Sequence, residues 1–98
     1  MGYAYEMIMS FRHKGLKDFF ETENKKGIRP EHADRLDKIL DLLDISESVE
    51  NMRFPGSGLH KLEPKSENRW SVKVSGNWRI TFVFEKGNGY EVDYLDYH

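Results

Sequence analysis

Residues 70–98, which read WSVKVSGNWRITFVFEKGNGYEVDYLDYH, contain three strand-like runs separated by two turn sequences. Apolar and polar side chains alternate within the runs, which is typical of strands with one buried face. The stretch therefore predicts a three-stranded antiparallel meander, with its first turn around Gly76 and Asn77 and its second at residues 85–89. One face of this meander is aromatic and apolar. The other face carries Lys73, Arg79, Thr81 and Asp93.

The register of the meander follows from requiring the apolar side chains to share one face. A two-residue first turn would set Val74 opposite Arg79 and so mix the two faces. We therefore expect a three-residue turn at residues 75–77 with a bulge at Gly76 or Asn77. The expected cross-strand pairs are Val74–Trp78, Val72–Ile80, Trp70–Phe82, Phe84–Tyr90, Phe82–Val92 and Ile80–Tyr94.

The N-terminal half predicts two amphipathic helices. The first is about ten residues long, contains Leu16, Phe19 and Phe20 at helical spacing, and has Gly27 as its C-terminal stop. The second begins near Pro30, which fits the first turn of a helix. Its apolar stripe comprises Ala33, Leu36, Ile39, Leu40 and Leu43, and its outward positions are Arg35, Asp37, Lys38 and Asp41.

Two further short strands complete the prediction. Alternation over residues 7–12 predicts a short first strand, and residues 59–62 are expected to join the edge of the meander. Because helices and strands segregate along the chain, the fold class is α+β, with both helices packed on a small antiparallel sheet. Residues 1–6 fit no pattern and are treated as an extended or non-native N-terminus, which leaves residues 7–98 as one domain.

Composition and charge exclude several classes of protein. The 98 residues include no cysteine, so neither a disulfide framework nor a thiolate zinc site is expected. No membrane span or signal peptide is apparent, and a cytoplasmic location is expected. The net charge is −2, yet residues 53–86 carry seven Lys or Arg against three Asp or Glu. Such a patch can steer a polyanion, although a solvated strand face explains it equally well.

Most polar side chains have ordinary structural explanations. The four histidines lack the spacing of a metal site, and no phosphate-binding glycine loop or nucleophile elbow is present, so no metal or cofactor is expected. His13 and His32 lie among charged neighbours and are predicted to be solvated. Trp70 and Trp78 belong to the apolar set and are predicted to lie in the core.

The remaining candidates for chemistry are His60, Arg79 and the terminal residues Asp96, Tyr97 and His98. Cleavage of RNA by its own 2′-hydroxyl needs a base, an acid and a cation near the phosphate, which these side chains can provide. Strict alternation places Tyr97 on the face of Arg79 but the other two terminal residues on the opposite face. One site for all of them therefore requires the strand to bend or end near Asp96. A frayed tail and a half-buried edge histidine are the structural alternatives.

Four segments together resemble the HigB branch of the RelE/ParE-like bacterial toxins. They are PGSGLHKL at residues 55–62, Trp70, SGNWRITFVF at residues 75–84 and VDYLDYH at residues 92–98. The resemblance covers residues 7–98 and implies a RelE-like microbial ribonuclease fold. It also implies a toxin that cuts messenger RNA in the A site of the 30S ribosomal subunit. A HigA-like helix-turn-helix antitoxin would neutralise it and provide any contact with operator DNA.

Carried over by position, the resemblance places the catalytic set on His60, Arg79, Asp96, Tyr97 and His98, with the acid and base roles undivided. Lys61, Lys65 and Lys73 are the predicted RNA-binding lysines. Relatives commonly continue the LHxL segment with Lys-Gly-Asp, whereas this chain has Glu63, Pro64 and Lys65. Because a carboxylate repels a phosphodiester, either Lys61 or Lys65 substitutes for the missing lysine or the site is weaker.

Two other functions remain open on the sequence. The ParE branch shares the fold but inhibits DNA gyrase by binding, without catalysis. A catalytically weak relative that serves as a binding module is the other alternative, which the departure at Glu63 leaves open. The terminal Asp96-Tyr97-His98 set favours the nuclease.

Overall fold

A computed structural model describes residues 8–97, so the segment 1–6, Met7 and His98 lie outside the described residues. In this part of the chain, two α-helices and four β-strands form the framework. Their bounds are α1 Lys14–Thr22, α2 Ala33–Ile45, β1 His60–Lys61, β2 Arg69–Ser75, β3 Trp78–Glu85 and β4 Asn88–Asp96. The strands form one antiparallel sheet in the order β1-β2-β3-β4, and the helices cover one of its faces. The predicted α+β class is confirmed.

Helix α1 begins after His13, whose Nδ1 accepts a hydrogen bond from the N–H of Leu16 at 3.0 Å and so caps the helix. Leu16 and Phe19 are buried, in agreement with the predicted helical spacing. The helix ends before Glu23, which adopts a left-handed conformation with φ 64°. The predicted stop at Gly27 is therefore wrong, since the helix has already ended when the chain reaches that residue.

Gly27 instead packs against Gly15 at the start of α1. A Cβ atom added to Gly27 would lie 2.4 Å from the Cα of Gly15, and one added to Gly15 would lie 2.7 Å from the Cα of Gly27. Neither backbone leaves room for a methyl group. The two glycines allow the loop after α1 to cross the helix at direct backbone contact.

Helix α2 follows a short 3-10 turn at Pro30–His32 and buries the predicted stripe. Ala33, Leu36, Ile39, Leu40 and Leu43 all lie in the core. Arg35 departs from its predicted outward position because it is half-buried. Its Nη2 donates to the carbonyl oxygens of Gly56 and Lys73, at 3.1 Å in each case. The helix thereby holds the loop that leads to β1.

The N-terminal segment does not form the predicted strand. Ile8 and Phe11 make only isolated parallel bridges, to Gly89 and Val92 of β4. The ladder is interrupted because Glu91, which lies between the two partners on β4, adopts a positive φ of 51° within a bulge.

The register between β2 and β3 is partly as predicted. The pairs Val72–Ile80 and Trp70–Phe82 are confirmed, whereas Trp78 pairs with Ser75 and not with Val74. The bulge lies within residues 73–75 of the strand, which lets Gly76 and Asn77 form a two-residue turn without exchanging the two faces.

A second bulge changes the register between β3 and β4. Of the predicted pairs only Ile80–Tyr94 is confirmed, since the pairing shifts between Thr81 and Val83. The observed pairs on the turn side of the shift are Val83–Tyr90, Phe84–Gly89 and Glu85–Asn88. Lys86 and Gly87 form the turn with φ 51° and 80°, within the predicted segment.

The predicted edge strand is present as β1, which pairs His60 with Ser71 and Lys61 with Trp70. Trp70 and Trp78 are partly buried and pack against the core. This pairing brings residue 60 into the same sheet as residue 79.

Glu91 joins three segments of the chain at the bulge of β4. Its Oε1 accepts hydrogen bonds from Arg12 Nη2 at 2.6 Å and from Arg69 Nη2 at 2.5 Å. The hydrogen bond from Arg69 is the main cause that lowers the pKa of the Glu91 carboxyl below its ordinary value of 4.5, and the charge of Arg12 acts in the same direction.

Replacing Glu91 with glutamine is expected to reduce the free energy of unfolding by less than about 1 kcal/mol near neutral pH, since the side chain is half exposed. Because folding lowers this pKa, the carboxylate contributes fully above pH 4.5, and its contribution disappears as the pH falls through the lower folded value. Urea unfolding of both proteins between about pH 3 and 7 checks this. A stability difference that persists at the acidic end would contradict the ion-pair explanation.

Candidate active site

The face of the sheet that points away from the helices carries the candidate site. Two cross-strand rows lie on it, His60–Ser71–Thr81–Asp93 and Lys73–Arg79–Leu95. Directly opposed residues of neighbouring strands point to the same side of a sheet. His60, Lys73 and Arg79 therefore share one face, which we call the outer face and define by these two rows.

The distance between His60 and Arg79 follows from strand geometry. His60 is two strands away from Arg79 and one row along, so their Cα atoms are about 12 Å apart. His60 is exposed and Arg79 is half-buried. An imidazole and a guanidinium at this separation can reach opposite sides of one phosphodiester.

The segment that leads to His60 is fixed to β2. The N–H of Lys73 donates to the carbonyl oxygen of Ser57 at 2.8 Å, and Ser57 is buried. Gly58 has φ +54°, and a Cβ atom there would lie 3.0 Å from the Lys73 side chain. Arg35 adds the hydrogen bonds described above. The sequence signal for this loop is the run of turn residues before His60, but nothing in the sequence indicates that Arg35 holds it.

The guanidinium of Arg79 is held by its own hairpin. Its Nη1 donates to the carbonyl oxygen of Gly76 at 2.6 Å and to that of Trp78 at 3.0 Å. No salt bridge joins it to a carboxylate within residues 8–97. Its positive charge is thus available to an anionic ligand on the outer face.

The end of β4 separates the terminal candidates. The backbone N–H of Tyr97 donates to the carbonyl oxygen of Asn77 at 2.8 Å, and its side chain, which is 40% exposed, alternates onto the outer face. Asp96 pairs with Trp78 and lies on the opposite face. His98 lies outside the described residues. The structure therefore brings Tyr97 to the face of Arg79 and does not bring Asp96 there.

The three predicted lysines are dispersed. Lys73 belongs to the second row of the outer face. Lys61 alternates to the other side of β1 from His60, where its ammonium lies 5.5 Å from the centre of the Trp70 ring. Lys65 lies beyond β1 in a 3-10 turn at Lys65–Glu67 and is exposed. Only Lys73 is in register with the guanidinium at residue 79.

His32 is buried, so its predicted position on the solvated surface is wrong. Its Nδ1 lies 2.6 Å from the hydroxyl of Tyr94, which also accepts a hydrogen bond from the backbone N–H of Arg29 at 3.3 Å. Burial raises the pKa of the Tyr94 hydroxyl and so favours its protonated form, while the direction of its hydrogen bond with His32 is set by the tautomer of the imidazole. One feature of the sequence could have indicated this burial: His32 lies at helical spacing before the apolar residues Leu36 and Ile39. His13, also predicted to be solvated, is half-buried.

Replacing Tyr94 with phenylalanine is expected to lower the free energy of unfolding by about 1–3 kcal/mol, because the buried His32 nitrogen loses its hydrogen-bond partner. Tyr90→Phe is the matched control, since no described residue bonds that hydroxyl, and it should change stability by less than about 0.5 kcal/mol. Urea unfolding of the three proteins checks the expectation. Equal effects of the two substitutions would show that the buried hydrogen bond is not what stabilises the cluster.

Two negative findings apply to residues 8–97. No group of three or more His, Cys, Asp or Glu side chains in this range is placed to hold a metal ion. No helix in it has the length and apolar character needed to cross a membrane.

Comparison with known proteins defines the class. Residues 9–98 match the family described as RelE-like toxin of type II toxin-antitoxin system HigB. A curated relative, Endoribonuclease HigB of Proteus vulgaris, is 39% identical over 92 residues, which are 94% of this chain and 100% of that protein. The protein is thus a RelE-like toxin of a type II system, a class whose members act with an antitoxin partner. Within that class, the chain belongs to the HigB-like toxin family, and the resemblance seen in the sequence is confirmed.

Proposed function

We propose that this protein is an endoribonuclease that cuts messenger RNA during translation. The name of the Proteus vulgaris relative supports the activity. The observation that carries the proposal is the single outer face shared by His60, Lys73, Arg79 and Tyr97. A base, an acid and two cations on one face of a sheet are what cleavage by an internal hydroxyl requires.

In the proposed reaction, the 2′-oxygen of one nucleotide attacks the adjacent phosphorus. An O2′–P bond forms, the P–O5′ bond breaks, and the products carry a 2′,3′-cyclic phosphate and a 5′-hydroxyl. Arg79, with Lys73 beside it, stabilises the charge of the phosphorane. His60 and Tyr97 on the outer face, together with His98, share removal of the 2′ proton, protonation of the 5′-oxygen and orientation of these groups. DNA lacks the attacking hydroxyl and is not a substrate.

The ribosome is the proposed site of action. The outer face is one surface of a sheet, and the net charge of −2 gives the chain little general attraction for free RNA. The 30S subunit, which holds the messenger RNA in its A site, presents the substrate to this face and supplies the alignment that the isolated sheet lacks. The proposed antitoxin is a HigA-like helix-turn-helix protein, through which any contact with operator DNA is made.

Primer extension on a translated messenger RNA tests the proposal directly. The purified protein should cut the RNA when programmed ribosomes are present and should leave the same RNA intact without them. A gyrase supercoiling assay runs in parallel. Inhibition of supercoiling without cleavage would replace the nuclease by a ParE-like inhibitor, and inactivity in both assays would favour a binding module.

A further inference from the structure

We propose that the two-residue turn Gly76–Asn77 is a positioning element of the candidate site, because its two carbonyl groups hold the guanidinium of Arg79 and the backbone of Tyr97. The inference deepens the proposed function and rests on it. Neither turn residue belongs to the predicted catalytic or RNA-binding sets.

The contact between the Gly76 carbonyl and Arg79 determines which edge of the guanidinium can bind a ligand. Nη1 of Arg79 carries two hydrogens, and two carbonyl oxygens accept from it, that of Gly76 at 2.6 Å and that of Trp78 at 3.0 Å. A guanidinium has five N–H donors in a planar fork. Once Nη1 is committed, the Nε and Nη2 edge remains, which makes no hydrogen bond with any described residue. That edge can bind two oxygens of one phosphate side by side.

The second contact joins the end of the chain to the same turn. The last pair of the β3–β4 ladder is Trp78–Asp96, and the next residue, Tyr97, donates its N–H to the carbonyl oxygen of Asn77 at 2.8 Å. The backbone position of Tyr97 is thereby set relative to the turn that holds Arg79. One turn thus sets the position of the Arg79 guanidinium relative to the backbone of Tyr97.

The turn is supported by packing of the residue that follows it, and its backbone has a defined conformation. Trp78, which follows it, packs against Tyr94 with ring centroids 4.6 Å apart, and the ring of Tyr94 is buried. Gly76 has φ +55°, and no atom lies within 4 Å of a Cβ added there. Glycine is therefore favoured at this position for the backbone conformation that directs its carbonyl, and not because space is short.

The other hairpin provides a matched control. Lys86 and Gly87 form a two-residue turn at the opposite end of β3, and Gly87 also has a positive φ, of 80°. A Cβ atom on Gly87 would make only an ordinary contact, 3.7 Å from the carbonyl oxygen of Glu47. Lengthening this turn changes another two-residue hairpin loop by the same amount, at a place that contacts no candidate residue.

The test compares two insertions, one glycine after Asn77 and one glycine after Gly87. The first should release Nη1 of Arg79 and slow cleavage of ribosome-bound messenger RNA by about 100-fold, mainly in kcat, because a small misplacement of a catalytic group has an effect of this size. The second should leave the rate near that of the wild type. Nitrogen-15 NMR of the Arg79 side chain gives a readout without RNA. Slow rotation about the Cζ–Nη1 bond is expected in the wild type and in the Gly87 insertion, and fast rotation in the Asn77 insertion.

The possible outcomes separate this inference from the proposed function. Fast rotation in the wild type would overturn the anchoring, whatever the cleavage assay shows. A folded Asn77 insertion that releases the guanidinium yet cleaves at the wild-type rate would overturn the positioning role. A wild type that does not cleave RNA at all would end the proposed function, while the NMR measurement would still decide the anchoring. If the Asn77 insertion does not fold, Gly76→Ala against Gly87→Ala replaces the pair, with the same readouts and the same opposing results.

Discussion

Replacing Arg79 with alanine is expected to slow cleavage of ribosome-bound messenger RNA by about 100- to 1,000-fold, the usual effect of removing one group that stabilises the transition state. The phosphorane carries more charge than the substrate, and Arg79 is the cation in the centre of the outer face. The fold should be unaffected, because within residues 8–97 the guanidinium bonds only to carbonyls of its own hairpin. Single-turnover cleavage rates and urea unfolding midpoints check both statements.

Two further substitutions make the Arg79 experiment specific. Arg79→Lys keeps the charge but loses the planar fork, so it should remain well below the wild-type rate. Arg53→Ala removes a different exposed arginine, one that bonds to Glu50 away from the outer face, and should leave cleavage unchanged. If the alanine variant at position 79 cleaves as fast as the Arg53 control, the assignment of the cationic role is wrong.

Replacing His60 with alanine is expected to slow the same reaction by about 100- to 10,000-fold, the range found when a group that transfers protons is removed. The imidazole is exposed at an edge strand and makes no side-chain hydrogen bond with residues 8–97, so its removal should not change stability. The rate is measured under single-turnover conditions, so that product release does not mask the chemical step.

His13→Asn is the matched control for His60. His13 caps helix α1 through its Nδ1, and an asparagine oxygen can accept the same hydrogen bond from Leu16. The control therefore removes one histidine while the helix and the outer face stay intact. A rate for the His60 variant that equals the control rate would assign proton transfer to the terminal residues alone.

The sequence predicted the framework because burial imposes a simple period on it. The stripe of α2 and the pair Val72–Ile80 were recovered, since each of those side chains has to face the helices or be exposed. The positions of the two bulges were not predicted correctly. Val74 is buried in the observed bulge, just as it would be in the predicted pairing, so hydrophobic alternation does not distinguish the two registers.

The relative placement of the candidate site residues was predicted only in part. Alternation alone placed Arg79 with Lys73 and Tyr97, and the register agrees. The fixed loop before His60 was missed, because an arginine on the outer side of a helix reads as an ordinary surface residue whether or not it reaches a distant carbonyl. Arg35 is such a residue, and only its three-dimensional neighbours identify its role.

The crossing of Gly15 and Gly27 has a consequence for how this fold tolerates change. An alanine at either position would separate two main chains that now touch, and the start of α1 would have to tilt away from the loop that crosses it. No repacking of side chains offsets that shift, because the obstruction is backbone on both sides. The two glycines are therefore coupled: once one of them is replaced and the main chains separate, the close approach that requires the other is gone.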